Sequence, residues 1–263
     1  MNNKSETISV IMATHNSAAF LKNSIESILN QTYSDLELII CDDASTDNSF
    51  AIAREYEKKD KRVRVLKNEH NLGAAQTRNL CISKTTGKFI AIQDSDDISD
   101  INRLGILFKA LKENPEYSFV SCSEALFDND VKSPYKIVHH THFPRKKNFL
   151  RGMCFCHAAT LFRRECLDHI RGYPTFKWLL RDEDYLMFMK LYGCGFSGFN
   201  IDDCLYFYRV DKSAIRRRSF KVRLRECKVR AVGFKYLKLL FIGLVFTLIP
   251  IFAFFIQPFR KNS

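Results

Sequence analysis

Residues 88–97 read KFIAIQDSDD, a short apolar run that changes abruptly into three carboxylates among four residues. The β-branched and aromatic residues predict a buried strand. Carboxylates crowded at the end of a strand repel one another and need a compensating cation, and in an open α/β sheet this end is also where ligands bind. The stretch therefore predicts a hard divalent metal that holds an anionic ligand. A solvated acidic loop is the alternative.

Strand and helix patterns alternate around this stretch up to about residue 115. Apolar runs predict strands at 7–13, 36–41 and 63–66. Helical spacing of apolar residues predicts helices at 18–30, 48–59 and 77–83. Repeated strand–helix–strand units of this kind predict an α/β fold with a doubly wound, mostly parallel sheet and helices on both faces.

The second half of the chain is less regular. Its patterns predict helices near 99–113 and over 182–192, and strands at 117–122, 195–200 and 204–210. Residues 128–150 are polar and predict a loop, so the three histidines within it are interpreted as loop residues. The sequence CFCH at 154–157 has poor spacing for a zinc site and lacks a second cysteine pair.

The formal net charge of +12 is confined to the C-terminal part of the chain. Residues 212–263 hold 13 Lys or Arg and one acidic residue, whereas residues 1–211 hold 28 of each sign.

Within the basic part, residues 239–256 carry no charge, and a helix of that length spans about 27 Å, near the lower limit for a bilayer. We therefore predict a basic and apolar helical tail that associates with a membrane, either peripherally or by a single short span. A buried core helix is the alternative. Nucleic acid is not expected as a partner, because the apolar half of the tail would then have no role.

The cysteines and the N-terminus indicate a compartment. The nine cysteines are scattered and odd in number, and the first residues are polar rather than typical of a signal peptide. Free thiols in a reducing, cytosolic compartment are expected.

Three predicted strand ends present polar residues on one edge of the sheet: ATHN at 13–16, the pair Asp42-Asp43, and DSDD at 94–97. Several classes of protein fit this arrangement poorly. A phosphatase with an aspartyl nucleophile has its D-x-D after the first strand, and a receiver domain is half this length. A Rossmann dehydrogenase needs G-x-G-x-x-G after the first strand, where this chain has no glycine.

These residues resemble the inverting glycosyltransferases of family 2, of the bacterial surface-glycan type, which have the GT-A fold. The resemblance covers about residues 7–215. It rests on the segment 8–49 (ISVIMATHNSAAFLKNSIESILNQTYSDLELIICDDASTDNS), NLGAAQTRN at 71–79, DSDD at 94–97 and RDEDYLMFMKL at 181–191. It implies a GT-A domain over 1–211, with a nucleotide-binding half at about 1–115 and an acceptor half at about 116–211, followed by the tail at 212–263.

The resemblance implies a nucleotide-sugar site at the strand ends. Asp43 would accept a hydrogen bond from the uracil N3–H. His15 stands where the family usually has Tyr packed on the base, and imidazole stacks over less area. Thr14 and Asn16 would line the same site, and Arg78 would face the nucleotide.

The D-x-D of the family corresponds here to Asp94 and Asp96, which would bind the donor together with Mn²⁺ or Mg²⁺. Asp96 is the expected direct metal ligand, and Asp97 would hydrogen-bond a group that itself binds the metal. A divalent ion would neutralise the charge that builds on the departing diphosphate.

The resemblance also implies a general base. An acceptor hydroxyl is too weakly acidic to ionise at neutral pH, so a positioned carboxylate must take its proton. Asp184, in the pair Glu183-Asp184, is the expected base. Acids that favour a helix N-terminus are the alternative explanation of this pair. His157 would lie near the acceptor pocket.

Together these features predict a metal-dependent, inverting glycosyltransferase. The donor would be a UDP-hexose or UDP-N-acetylhexosamine, and the acceptor a glycan or lipid-linked sugar in cell-surface polysaccharide or lipopolysaccharide synthesis. The tail predicts work at the cytoplasmic face of the plasma membrane. Two alternatives stay open at this point. A sugar nucleotidyltransferase would need a Gly-rich phosphate loop after the first strand, where this chain reads THNSAAF, and a catalytically inactive membrane-bound binding module would not need Asp184.

Overall fold

A nine-stranded mixed sheet forms from the described residues, 6–179, 181–210 and 219–256, of this computed structural model. The strands are β1 (Ile8–Thr14), β2 (Leu36–Asp42), β3 (Val63–Lys67), β4 (Phe89–Ile92), β5 (Ile98–Ser99), β6 (Phe119–Phe127), β7 (Lys136–Val138), β8 (Leu161–Arg163) and β9 (Gly198–Arg209). Their order is β3-β2-β1-β4-β8-β6-β9-β5, and β7 pairs with β6.

The helices that flank the sheet are α1 (Ala18–Leu29), α2 (Ser49–Lys59), α3 (Ala74–Lys84), α4 (Arg103–Glu113), α5 (Arg164–His169), α6 (Glu183–Gly193), α7 (Phe220–Tyr236), α8 (Leu240–Thr247) and α9 (Ile249–Ile256). Two short 3-10 helices lie at Lys146–Leu150 and His157–Ala159.

The sheet is parallel where the sequence alternates strand and helix. β3, β2, β1 and β4 run parallel to one another. β8 then runs antiparallel to both β4 and β6, whereas β6 and β9 are parallel. The α/β fold with helices on both faces is confirmed, and its regular parallel part is the first half of the chain.

Alternating side chains of the strands build one apolar layer on each face of the sheet. Ile11 of β1 belongs to the layer that includes residues of α3, α5, α6 and α7, whereas its neighbours Val10 and Met12 belong to the layer that includes residues of α1, α2 and α4. The strands are therefore buried on both faces, which explains their nearly continuous apolar sequences. The polar residues that follow them mark the edge of the sheet.

Several predicted boundaries in the second half were wrong. The two strands predicted at 195–200 and 204–210 are one strand, β9, whose register against β6 shifts between Cys122 and Glu124. The loop predicted at 128–150 contains β7 and a 3-10 helix. The helix predicted from 99 begins at Arg103, because the preceding residues form β5.

The first described part of the predicted tail packs against the rest of the protein. α7 lies on α6, and Phe234 of α7 is fully buried in the same apolar layer. The two helices approach so closely at Gly233 that a Cβ atom there would overlap the side chain of Met189. The predicted domain boundary at residue 211 lies outside the described residues and stays a prediction.

The apolar segment 239–256 is not one helix. It is divided at Leu248 into α8 and α9, and Pro250 occupies an early position of α9, where its missing N–H costs no hydrogen bond. Among the described residues, none of the helices combines the length and the apolar character needed to cross a bilayer.

Candidate active site

The loops after β1, β2 and β4 lie together at one edge of the sheet, as predicted. The His15 ring donates from Nδ1 to the backbone oxygen of Asp43, at 2.8 Å. Asn16 accepts a hydrogen bond from the backbone N–H of Thr46, at 2.8 Å. Ser17 connects this pair of loops to the acidic turn through a hydrogen bond to Ser95, also at 2.8 Å.

Thr14 is buried at the end of β1. Its hydroxyl has no hydrogen-bond partner among the described residues. A buried hydroxyl without a protein partner is available to a ligand or to water.

The carboxylate of Asp43 organises the loop between β3 and α3. It accepts hydrogen bonds from the side chain of Asn68 at 2.7 Å and from the backbone N–H groups of Leu72 and Gly73 at 2.8 and 2.9 Å. Burial acts to raise the pKa of Asp43, but these hydrogen bonds outweigh burial and lower the pKa. Asp43 is therefore ionised at neutral pH, and its contact with a base stays a prediction.

Arg78 joins the acidic turn to the start of α6. Its guanidinium group donates to Asp94 at 2.8 Å and to Glu183 at 3.0 Å. Burial acts to lower the pKa of Arg78, but the charge of Asp94 and the other acidic groups around it outweigh burial and raise the pKa. The sequence placed Arg78 beside the nucleotide, and it did not predict this bridge between two carboxylates 89 residues apart in the chain.

The three carboxylates of the acidic turn have different environments. Asp94 is paired with Arg78, and although burial acts to raise its pKa, the Arg78 charge lowers it. Asp96 is partly exposed and forms no ion pair with a described residue; burial, and then the charge of Asp94, raise its pKa. Asp97 is 1% exposed. One of its oxygens accepts from the backbone N–H of Arg209 at 2.7 Å, so Asp97 holds the end of β9 beneath the turn.

Asp96 fits the predicted role as metal ligand. Its carboxylate is a hard oxygen donor, accessible from solvent and not neutralised by an ion pair among the described residues. No group of three or more His, Cys, Asp or Glu side chains in the described ranges could hold a metal ion by itself. The fit is therefore to a metal that shares its coordination with a bound ligand, as Mg²⁺ commonly does with phosphates.

Asp184 lies in the first turn of α6, after Asp182, whose backbone is left-handed (φ 62°). One oxygen of Asp184 accepts from the backbone N–H of Tyr185, at 2.7 Å. Burial, and then the charge of Glu183, raise the pKa of Asp184 to about 7. A carboxylate with a pKa near neutrality is well suited to accept a proton as a general base.

Asp184 also lines a cavity of about 370 Å³, which we call the α7 cavity. Its walls come from residues 152–153, from the start of α6, from α7 and from the start of α9. Arg223, Glu226 and Arg230 contribute from α7. They were not predicted as site residues, because the segment that contains them was assigned to a membrane surface. Arg223 and Glu226 are three residues apart, and Glu226 and Arg230 are four apart, so all three lie on one face of the helix. This spacing is visible in the sequence and could have identified them as a group.

His157 does not line the α7 cavity. Its ring is buried and hydrogen-bonded to the hydroxyl of Tyr173 at 2.6 Å. Burial, and then the nearby Arg78 charge, lower the pKa of His157 to about 3, so the ring is neutral. His157 holds Tyr173, whose ring centre lies 5.7 Å from the guanidinium carbon of Arg78, and its predicted contact with an acceptor stays a prediction.

The site thus combines a polar strand edge, an acidic turn and, linked to that turn through Arg78, the start of α6 with the carboxylate of Asp184. A family model described as glycosyl transferase family 2 matches residues 9–171. The chain therefore belongs to glycosyl transferase family 2 and is a glycosyltransferase.

Curated relatives extend over most of the chain. The putative glycosyltransferase EpsE of Bacillus subtilis is 35% identical over 83% of this chain and 78% of its own length. WfgD of Escherichia coli, a UDP-Glc:α-D-GlcNAc-diphosphoundecaprenol β-1,3-glucosyltransferase, is 30% identical over 84% of each chain.

Solved structures share the fold. S. aureus TarS (residues 1–349) matches with a TM-score of 0.72 at 19% identity, over 95% of this chain and 73% of that one. The mannosyltransferase PcManGT of Pyrobaculum calidifontis, in complex with GDP-Man and Mn²⁺, matches with a TM-score of 0.68 at 20% identity, over 94% and 71% of the two chains. Both neighbours support the GT-A fold.

Proposed function

We propose that the protein transfers a sugar from a UDP-linked donor to a lipid-linked sugar acceptor, with inversion at the anomeric carbon. The observation that carries this proposal is the position of Asp184. Its carboxylate has a pKa raised to about 7 and lines the α7 cavity, while the bridge through Arg78 connects its helix to the acidic turn.

The donor is assigned to the strand edge. Thr14 ends β1, His15 and Asn16 follow it, and Asp43 follows β2, so these residues surround the place where a nucleoside would lie. His15 is exposed and already fixed to the loop of Asp43, which suits a ring that packs on a base. An ionised Asp43 suits recognition of a uracil N–H.

The acidic turn is assigned to the diphosphate. Asp96 would hold a divalent metal, Mn²⁺ or Mg²⁺, which when bound neutralises the negative charge of the leaving nucleoside diphosphate. Asp94 is committed to Arg78, and Asp97 is buried beneath the turn. Arg78 thus keeps Asp94 in place and links the donor side of the site to α6.

Asp184 is assigned to the acceptor hydroxyl. In its ionised form the carboxylate accepts the hydroxyl proton as the oxygen attacks the anomeric carbon, and the nucleoside diphosphate leaves on the opposite face. One attack of this kind inverts the anomeric configuration. Glu183 helps to set the basicity of Asp184, since its charge raises the pKa of its neighbour.

The substrates and ligands named for the relatives support this donor and acceptor. WfgD and WfaP of E. coli are both described as UDP-Glc:α-D-GlcNAc-diphosphoundecaprenol β-1,3-glucosyltransferases. TarS is described in complexes with UDP and with UDP-GlcNAc. A UDP-hexose or UDP-N-acetylhexosamine and a sugar carried on a lipid diphosphate are therefore the first substrates to test. Membership of the transferase family favours neither of the two alternatives, a nucleotidyltransferase or an inactive binding module.

We also propose that α8 and α9 rest on the cytoplasmic face of the plasma membrane. Their side chains are unusually exposed for apolar residues: Phe241 is 92%, Val245 74%, Leu244 61% and Phe252 60% exposed. An apolar patch of this kind beside a strongly basic segment suits a surface of anionic lipid, to which each cation adds about 1 kcal/mol. Attachment would be peripheral, through residues 212–263.

Replacing two apolar residues of α8 by serine, in the variant Phe241→Ser/Val245→Ser, should weaken binding to vesicles at least tenfold. The two side chains lie one turn apart, and burying each contributes about 1.5–3 kcal/mol. Cosedimentation with vesicles of phosphatidylglycerol measures the effect. Ile137→Ser, which removes an apolar residue 50% exposed on β7, is the control and should bind as wild type does. Unchanged sedimentation of the double variant would remove α8 from the membrane contact.

The proposed function is tested by incubating the protein with UDP-Glc or UDP-GlcNAc, Mg²⁺ and a lipid-linked GlcNAc diphosphate. Release of UDP should depend on the acceptor. An inactive binding module would bind the donor without releasing UDP in excess of a heat-killed sample. A nucleotidyltransferase would instead form a UDP-sugar from UTP and a sugar phosphate.

A further inference from the structure

The α7 cavity is larger than the proposed chemistry at Asp184 requires. Its volume of about 370 Å³ falls within the range of about 300–1,000 Å³ that is typical of small-molecule sites. Asp184 occupies only one wall. The wall formed by α7 carries charged side chains that no step of the donor chemistry uses, so this wall needs its own explanation.

Arg223 is the first of these side chains. Only 11% of it is exposed, and its guanidinium group donates to Glu226 at 2.9 Å. Its Nε–H is buried and has no hydrogen-bond partner in the described part of the chain. A buried guanidinium N–H without a partner is costly, so the hydrogen bonding of Arg223 is incomplete among the described residues, although its side chain lines the cavity.

Arg230 lies two turns further along the same face of α7. Its Nη1 donates to the backbone oxygen of Leu150 at 3.0 Å, and its guanidinium carbon lies 5.7 Å from the ring centre of Tyr185. Nε and Nη2 of Arg230 make no hydrogen bond with any residue that the structure describes, which leaves several donors for a ligand. Two guanidinium groups on one wall suit the oxygens of a phosphate group, which arginine binds with directed, charge-assisted hydrogen bonds.

The third wall of the α7 cavity is apolar. Ile249 and Pro250 come from the start of α9, the helix that follows the exposed apolar residues of α8. The cavity therefore has a carboxylate of raised pKa on one side, and on a second side two guanidinium groups together with the carboxylate of Glu226, which pairs with Arg223. Its apolar border continues into the proposed membrane face.

We propose that the α7 cavity recognises the phosphate of the acceptor, a sugar linked to a lipid through a diphosphate. Arg223 and Arg230 bind phosphate oxygens, the sugar occupies the side of Asp184, and the lipid chain leaves along α8 and α9. This inference rests on the proposed function, because it names the part of the acceptor that the same site selects. It also gives α7 a role in acceptor selectivity in addition to its packing on α6.

The test uses farnesyl diphosphate as a probe of the lipid diphosphate, with farnesol as the probe that lacks phosphate. Binding to the full chain is measured by calorimetry in detergent, with Mg²⁺ and saturating UDP present so that the donor site is blocked. Wild type should bind farnesyl diphosphate at least about tenfold more tightly than farnesol, because charge-assisted hydrogen bonds are the strong ones. Arg223→Gln and Arg230→Gln should each remove most of that preference.

The matched control is Lys235→Gln, which removes the same charge from an exposed position of α7. It should keep the preference of wild type for farnesyl diphosphate. Equal binding of the two probes by wild type, or an unchanged preference in both arginine variants, would overturn the inference. A loss in the Lys235 variant equal to that in the arginine variants would overturn it as well, since general charge would then explain the binding.

The affinity for UDP, measured separately, checks that each variant is folded. If Arg223→Gln fails this check, Arg223→Lys decides instead, since it keeps the charge but not the forked geometry and should show a reduced preference. Failure of the proposed function has a different signature: wild type would then release no UDP from UDP-sugars with lipid-linked GlcNAc, whatever the outcome with farnesyl diphosphate.

Discussion

Asp184→Asn should lower the rate of sugar transfer by a factor of about 10²–10⁴, the usual contribution of a positioned general base. The amide cannot take the proton of the acceptor hydroxyl, yet it has nearly the same size and can still accept from the backbone N–H of Tyr185. The affinity for UDP should therefore be close to that of wild type. Transfer to a lipid-linked GlcNAc, measured at saturating donor and acceptor, gives the effect.

The control for this variant is Asp203→Asn, which changes an exposed carboxylate on β9 outside the site. It should transfer sugar at the rate of wild type. If Asp184→Asn retained more than about a tenth of the rate of wild type, Asp184 would not be the base, since general bases contribute far more than that.

The pH dependence of the transfer rate is a second test of the role of Asp184. Because the pKa of Asp184 is raised to about 7, the transfer rate of wild type should rise through neutral pH and level off above it. A profile that is already flat at pH 5 would contradict the raised pKa.

The contribution of Asp184 to the free energy of unfolding should show the opposite dependence on pH. The folded protein binds the Asp184 proton more tightly than the unfolded chain does, so this group makes stability fall as pH rises from about 4 to about 7. Asp184→Asn removes this loss of stability with rising pH, because asparagine does not titrate. Its melting temperature relative to wild type should therefore be higher at pH 8 than at pH 5, as measured by thermal unfolding at both pH values.

Asp96→Asn should abolish the metal dependence of donor binding and lower transfer by about 10²–10³, the range found when one preorganised electrostatic contact to developing charge is lost. The carboxylate of Asp96 forms no ion pair with a described residue, and asparagine is a weaker metal ligand. Calorimetry with UDP, in Mg²⁺ and in EDTA, measures the effect: wild type should bind much more tightly with the metal, and the variant equally in both. A variant that still responds to Mg²⁺ as wild type does would place the metal elsewhere.

The first half of the fold could be predicted because its signals are local. Each strand there is a continuous apolar run, and the polar residues that follow it necessarily lie at the same edge of a parallel sheet. The positions of Thr14, Asp43 and Asp94 follow from that rule alone.

The second half was less predictable because its pairing is long-range. β8 has only three residues, and it becomes a strand by pairing with β4 and β6 on either side. β9 contains a register shift against β6, which divided its sequence pattern into two apparent strands. Neither the short strand β8 nor the register shift of β9 produces a hydrophobic periodicity that can be seen in a short segment of sequence.

The candidate site shows the same contrast between local signals, which could be predicted, and long-range contacts, which could not. Individual carboxylates were found by motif, but the bridge from Arg78 to Glu183 joins residues 105 positions apart and needed the structure. The α7 cavity was missed for a related reason. The basic composition of 212–263 favoured a membrane surface, and only the packing of α7 on α6 brings Arg223 and Arg230 into the same cavity as Asp184.

The central claim is that Asp184 and the acidic turn form one inverting transferase site, and the anomeric configuration of the product tests it most directly. The protein is incubated with UDP-Glc, in which glucose is α-linked, together with Mg²⁺ and a lipid-linked GlcNAc, and the linkage in the product is read by proton NMR. We expect a β-linked product that forms with wild type and is lost in EDTA and in Asp184→Asn. An α-linked product, or a β-linked product formed equally well by Asp184→Asn, would contradict the account.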